Sequence, residues 1–351
     1  MSAFPPRAPS RILSVMPTYR CTAACKHCGT LSHPKENSWL PIDDMLGAID
    51  EAAQADYELV VFTGGEATLA GEHLTLGIRR AAEHGMAVRL VTNGWWAASE
   101  EDATVVLGEW VEAGLTELNL STGDQHARFV PVDSVIHAIA AGAAHDLTVA
   151  LMVEIVDGRT LSGEDIQSHP GFLEMRERHP QARISIHESP WMPLSPSRTY
   201  SYPDGQAVNR SNVSACPGCD SILTTTTVQA DGRIAACCGL GIRRIDELQL
   251  GRVGSLSIQE ADERAGNDFL KRWIKVQGPE KILAWAAEID PEIEWEDMYA
   301  HRCQACLRLY KDPRVREVVS NHHLEKMAEV LFEEWLMFHF EPAQPLEESK
   351  T

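Results

Sequence analysis

The chain contains no uninterrupted apolar run of the ~18 residues needed to cross a bilayer. Its nearest approach, His137 to Val156, is broken by His145, Asp146 and Glu154 and reads as helix, turn and strand. Positive charge is also scarce: 31 Lys and Arg stand against 51 Asp and Glu, a formal balance of −20. Such a surface repels phosphate backbones and anionic lipid, which argues against nucleic acid or membrane as the main partner. The proline-rich start, MSAFPPRAPSR, is not followed by an apolar core and a small-residue cleavage site, so no secretory signal is read and a cytosolic protein is expected. A composition 44% hydrophobic and 23% charged excludes wholesale disorder and collagen-like repetition. The 351 residues are enough for about two domains with a real core.

An isolated cysteine is also missing. All nine fall into three groups: Cys21, Cys25 and Cys28; Cys216, Cys219, Cys237 and Cys238; Cys303 and Cys306. In a reducing compartment, clustered thiols point to metal or redox chemistry and away from a disulfide framework. The first group has the spacing CxxxCxxC directly after the β-rich run Ile12 to Met16. A [4Fe–4S] cube takes four ligands, so three thiolates from one loop leave an iron open to bind something else. The alternatives are chance, or a zinc loop short of a ligand that His27 would complete in crowded geometry.

Further along, β-like and helical runs alternate. Strands are expected at Ile12–Met16, Leu59–Thr63, Ala87–Thr92, Glu117–Ser121, Thr148–Ile155 and Arg183–His187, with helices such as Ile42–Ala55, Leu74–Gly85 and Asp133–Ala144 between them. Six repeats fit a partial parallel (β/α)6 barrel of the TIM type, which carries its chemistry where the βα loops converge. The cysteine loop follows strand one. Strand two ends in Gly64-Gly65-Glu66, strand three in Asn93-Gly94, and strand four in Ser121-Thr122-Gly123-Asp124. In any barrel the glycines allow a tight turn and the polar groups cap turns. Asp124 to Pro131 reads either as substrate-contacting or as a helix start. Met152 and Glu154 on strand five, and His187 and Glu188 on strand six, point to the same mouth if the register is right.

The CxxxCxxC loop after the first strand resembles the signature of the radical S-adenosylmethionine (SAM) enzymes. That resemblance implies that Cys21, Cys25 and Cys28 hold a [4Fe–4S] cluster whose open iron takes the amino and carboxylate groups of SAM. One electron then cleaves SAM to methionine and a 5′-deoxyadenosyl radical, which abstracts a substrate hydrogen. Gly64, Gly65 and Glu66 match the family's Gly-Gly-Glu motif, whose backbone and carboxylate receive the SAM ammonium, a cation needing a counter-charge once water is excluded. By the same resemblance Asn93 and Ser121 contact the SAM ribose or carboxylate. The chain departs from the pattern at His27, where an aromatic often stands, and at Asp124, one residue beyond the usual Ser-x-Asp spacing.

From about Pro193 to Asn212 the pattern gives way to a Ser/Pro/Tyr/Asn/Gly-rich stretch that reads as a linker or lid. Gln229 to Ala236 then reads as a hairpin turning at Asp231-Gly232. Cys219, Gly232 and Cys237, followed by Cys303 and Cys306, resemble the auxiliary-cluster extension of the SPASM/twitch subgroup. With no cysteine after Cys306, one auxiliary [4Fe–4S] cluster, the twitch arrangement, is the better fit. Its most economical ligand set is Cys219, Cys237, Cys303 and Cys306. Cys216 and Cys238 are left as alternative ligands, inert residues or hydrogen-atom donors; tetrathiolate zinc is the rival for the whole module. The expected organisation is a barrel over residues 1–195, a linker over 196–215, an auxiliary-cluster domain over 216–310, and a C-terminal helix and tail over 311–351. Trp335 and Phe338 on that helix either fill the core or line the substrate cleft, and the tail after Pro345 reads as loose.

The expected function is hydrogen abstraction from an unactivated carbon, with the cofactor supplying the chemistry and the protein positioning the target. Flavodoxin or ferredoxin is implied as electron donor. Subgroup relatives mostly modify ribosomally made peptides by epimerisation or crosslinking, and others oxidise or epimerise aminocyclitols and sugars. A precursor peptide is the first expectation, although only 20 residues precede Cys21, too few for the leader-binding domain of many peptide maturases. The non-catalytic alternative is an iron–sulfur or zinc sensing protein.

Overall fold

The computed structural model describes residues 11–26, 28–190, 192, 194 and 201–339. His27, the tail after Pro345, the side chain of Phe338 and the first residues of the linker lie outside what it describes. Six parallel strands, β1 (Ile12–Val15), β2 (Leu59–Phe62), β3 (Ala87–Thr92), β4 (Glu117–Thr122), β5 (Thr148–Ile155) and β6 (Ile184–Pro190), alternate with α1 (Ile42–Gln54), α2 (Glu72–Glu83), α3 (Glu100–Ala113), α4 (Val132–Ala144), α5 (Gly163–Ser168) and α6 (Pro170–Arg178). This is the expected partial barrel, mixed α/β in class. Strands covered on both faces read as near-continuous apolar runs. In β1, Leu13 and Val15 are fully buried, each worth about 1.5–3 kcal/mol of burial. The helices start and stop where local chemistry dictates: Ser99 caps α3, Gly114 ends it at φ 114°, and Ser162 with Asp165 forms a capping box on α5.

The remainder builds onto the same sheet. Strand β7 (Thr225–Val228) pairs in parallel with β1, with Ile12 opposite Thr225 and Val15 opposite Val228. Strands β8 (Arg233–Ala235) and β9 (Gln249–Arg252) continue antiparallel, giving the order β6-β5-β4-β3-β2-β1-β7-β8-β9. The β7–β8 hairpin turns at Gly232, φ 80°. Helix α7 (Ile258–Gly266) packs on β7 and β9, and α8 (Phe269–Gln277), α9 (Pro279–Ile289), α10 (Arg302–Lys311) and α11 (Pro313–His339) pack on one another beside it. Trp273 and Tyr299 are fully buried there. Residues 201–212 are turns tied to the following domain by Val208 N–H donating to Tyr299 O at 2.8 Å.

Trp335 on α11 neither fills the core nor lines either cysteine cavity: it is 47% exposed and stacks on Phe332 and His339. No helix among the described residues is long and apolar enough to cross a membrane.

Candidate functional site

The βα loops of β1 to β6 meet at one edge of the barrel, and a cavity of about 250 Å3 opens there. Cys21, Cys25 and Cys28 line it together with Gly64, Gly65 and Asn93. Burial pushes the Cys21 thiol up to about 11 and the Cys25 thiol up to about 12, and neighbouring cysteine charges add to both. Buried thiols such as Cys21 and Cys25 become thiolates readily only beside a positive centre. Hydrogen-bond donors are already aimed at the sulfurs. Cys21 Sγ accepts from Ala23 N–H at 3.4 Å and faces Asn93 Nδ2 at 3.7 Å, and Cys28 Sγ accepts from Ser32 N–H at 3.3 Å. Such bonds are what a cluster-bound sulfur uses. The loop is therefore able to hold an iron–sulfur cube.

The glycine doublet is explained by contact. Gly65 lies face to face with the segment just before Cys21: its N–H donates to Thr18 O at 2.9 Å, and Glu66 N–H donates to Arg20 O at 2.8 Å. A Cβ on Gly65 would run into the Arg20 carbonyl and lie 2.6 Å from Tyr19 O; one on Gly64, at φ 119°, would lie 2.7 Å from Thr18 O. Glu66 does not line the cavity. Its buried carboxylate accepts from Thr68 Oγ1 and Thr92 Oγ1, each at 2.7 Å, and from Asn93 N–H at 2.9 Å. Burial raises its pKa in spite of those bonds. Its acceptors are thus spent on joining the ends of β2 and β3. The adjoining Asn93 side chain reaches Thr22 Oγ1 at 3.0 Å.

Ser121 does not line the cavity, whereas its neighbour Thr122 does, with a buried hydroxyl that has no protein partner. Successive strand residues point to opposite faces, so this is a one-residue difference in facing. Asp124 instead ties down the loop after β5, accepting from Thr160 N–H at 3.0 Å. The stretch after it forms turns, with no helix start: His126 lines the cavity and Arg128 is exposed. His126 Nδ1 stands 3.7 Å from Glu154 Oε2, and Glu154 Oε1 accepts from Gln125 N–H. Met152 and Glu154 line the cavity; His187 and Glu188 do not, and Glu188 pairs with Arg159 at 2.9 Å. Met192 and Leu240 complete the wall with no sequence motif to announce them.

A second cavity, about 620 Å3, is lined by Cys216, Cys219, Cys237, Cys303 and Cys306. Cys303 and Cys306 lie one turn apart on α10, hence on one face. An ideal Cβ on Gly239 would stand 3.3 Å from Cys303 Sγ and 3.5 Å from Cys237 Sγ, so those sulfurs converge. Burial pushes the Cys303 thiol up to about 12 and raises Cys237 and Cys306 as well; the charges of Cys219, Cys237 and Cys303 bear on Cys306. Burial raises the Cys216 thiol too, but the charges that bear on it are those of Glu280, Lys281 and Arg302. Cys238 does not line the cavity, and its sulfur lies within reach of the Ser221 and Thr225 hydroxyls. Among the described residues, no three His, Cys, Asp or Glu side chains are gathered around a point suited to a single ion. The side chain of Leu240 belongs to both cavities.

A parallel partial barrel with three cavity-facing thiols after its first strand defines a class. Residues 15–168 match the model of the radical SAM superfamily, to which this barrel belongs. Membership implies an enzyme that binds SAM at a [4Fe–4S] cluster. No curated protein matches the chain in sequence. Among solved structures, polyhistidine-tagged anSMEcpe with bound AdoMet is similar at TM-score 0.54 and 13% identity, over 89% of this chain and 100% of that one. Native anSMEcpe with bound AdoMet and the Cp18Cys peptide is similar at TM-score 0.51 and 13% identity, over 88% and 99%. At that identity the likeness is one of fold.

Proposed function

We propose that the chain holds its SAM-binding [4Fe–4S] cluster on Cys21, Cys25 and Cys28, holds one auxiliary [4Fe–4S] cluster on Cys219, Cys237, Cys303 and Cys306, and modifies a ribosomally made precursor peptide. When bound and reduced, the first cluster supplies the electron that breaks SAM at its sulfonium, so that a hydrogen atom is taken from the substrate. The Gly64 and Gly65 backbone lines the bed for SAM, Asn93 fixes the cysteine loop by its bonds to Thr22 and Cys21, and Glu66 holds Asn93 in place. Thr122, with its unpartnered hydroxyl, joins or replaces Ser121 as the ligand contact of β4. The three thiols facing one cavity against the glycine doublet carry this reading.

The peptide substrate is supported by the peptide named in the similar anSMEcpe structure; the −20 charge suits a basic peptide and an aminoglycoside alike. Flavodoxin or ferredoxin in the cytosol would supply the electron. Cys216 and Cys238 remain the candidates for hydrogen donation.

Anaerobic reconstitution followed by dithionite and SAM should yield 5′-deoxyadenosine, and Cys25→Ala should abolish it. A cluster-loaded protein that leaves SAM intact overturns the enzyme reading in favour of sensing. Two cubes require about eight irons per chain; four irons and a zinc would replace the auxiliary cluster by a structural ion. Turnover of an aminocyclitol with no reaction on a precursor peptide from the neighbouring genes would replace the substrate.

A further inference from the structure

The turn that carries Cys28 is closed from the C-terminal side of the molecule. Thr30 Oγ1 lies 3.3 Å from Cys28 Sγ and also donates to Gly64 O at 3.1 Å, so it links the sulfur to the glycine doublet. Leu31 has a φ of 56°, a region that costs an aliphatic side chain, and its N–H closes on Cys28 O at 3.0 Å. Something must hold this turn. Arg243 does so: its Nη1 donates to Thr30 O at 3.0 Å and Leu31 O at 2.9 Å, and its guanidinium lies 3.7 Å from the centre of the Tyr19 ring. Beside it, Gly241 N–H donates to Gly29 O at 2.7 Å, and Leu240 packs so closely on Gly29 that a Cβ there would force the leucine side chain to move. Among the described residues no carboxylate stands within ion-pair distance of Arg243, so its charge is directed at this turn.

We propose that Arg243 is a positioning residue for the first cluster. It fixes the Thr30–Leu31 turn so that the Ser32 N–H meets the Cys28 sulfur, and it places an unneutralised cation beside the cluster. Reduction adds one electron, drawn from the flavodoxin or ferredoxin donor, and so adds one negative charge; a nearby cation and hydrogen bonds to sulfur both favour that state. The inference rests on the function proposed above.

The test is a redox titration of the reconstituted two-cluster protein, followed by the electron paramagnetic resonance spectrum of the reduced first cluster with and without SAM. In the wild type that spectrum must change when SAM is added; if it does not, the parent reading fails and Arg243 is not at issue. Arg243→Gln should keep its iron and the potential of the auxiliary cluster. Its first cluster should become about tenfold harder to reduce, which for one electron is about 59 mV, with an altered line shape. Arg243→Lys restores charge without the planar fork, and should recover the potential but not the line shape. Wild-type potential and line shape in an iron-loaded Arg243→Gln protein overturn the inference. Should Arg243→Gln fail to load iron, a wild-type line shape in Arg243→Lys overturns it equally.

Discussion

Gly65 leaves no room for a side chain, because its Cα faces the Tyr19 and Arg20 carbonyls across a backbone-to-backbone contact. Gly65→Ala should therefore cost about 1–3 kcal/mol through forced displacement. The same shift should loosen the cysteine loop, and iron should fall from about eight to about four per chain, measured by urea unfolding and metal analysis. Glu66 is the adjoining case. A carboxyl whose folded pKa stands above its unfolded value holds its proton more tightly in the fold. Its contribution to stability is complete below about pH 4, and is lost as pH rises through the raised folded value. Unfolding of the cluster-free protein across that range should show this decline in the wild type and not in Glu66→Gln. The sequence announces Glu66 as part of a motif, but whether a carboxylate faces a ligand or its own threonines depends on Thr68 and Thr92. Hydroxyls separated by 24 residues carry no periodic signal of meeting.

At the scale of the element, α10 sets the geometry of the second cavity by presenting Cys303 and Cys306 one turn apart, while Cys219 and Cys237 arrive from loops flanking the β7–β8 hairpin. Cys219→Ala should lose about four irons and Cys216→Ala none, read as iron per chain and by visible absorption. Retention of eight irons by Cys219→Ala would exchange their roles. The strands were legible where β-branched runs end in polar loops: Ala87–Thr92 and Thr148–Ile155 fall where the pattern puts them. Facing was harder to read. The end of β4 alternates Ser121 and Thr122, and only pairing with Met152 and Val153 settles which one turns inward.

At the scale of the molecule, one sheet runs from the barrel into the second cysteine region through the β1–β7 pair. Nothing local in the sequence foretells that Thr225 will lie opposite Ile12, since the partners are more than 200 residues apart. A boundary drawn from composition therefore separates segments that share hydrogen bonds. Residues 11–190 expressed alone would expose β1 as an unpaired edge, which invites association with other chains. The fragment should elute as aggregate in size-exclusion chromatography where the full chain elutes as a defined species.

Leu240, which walls both cysteine cavities, makes the two chambers neighbours in the way rooms sharing a partition are neighbours. A bulkier residue there would intrude on both. A substitution that reshapes one chamber at this position is thus felt in the other.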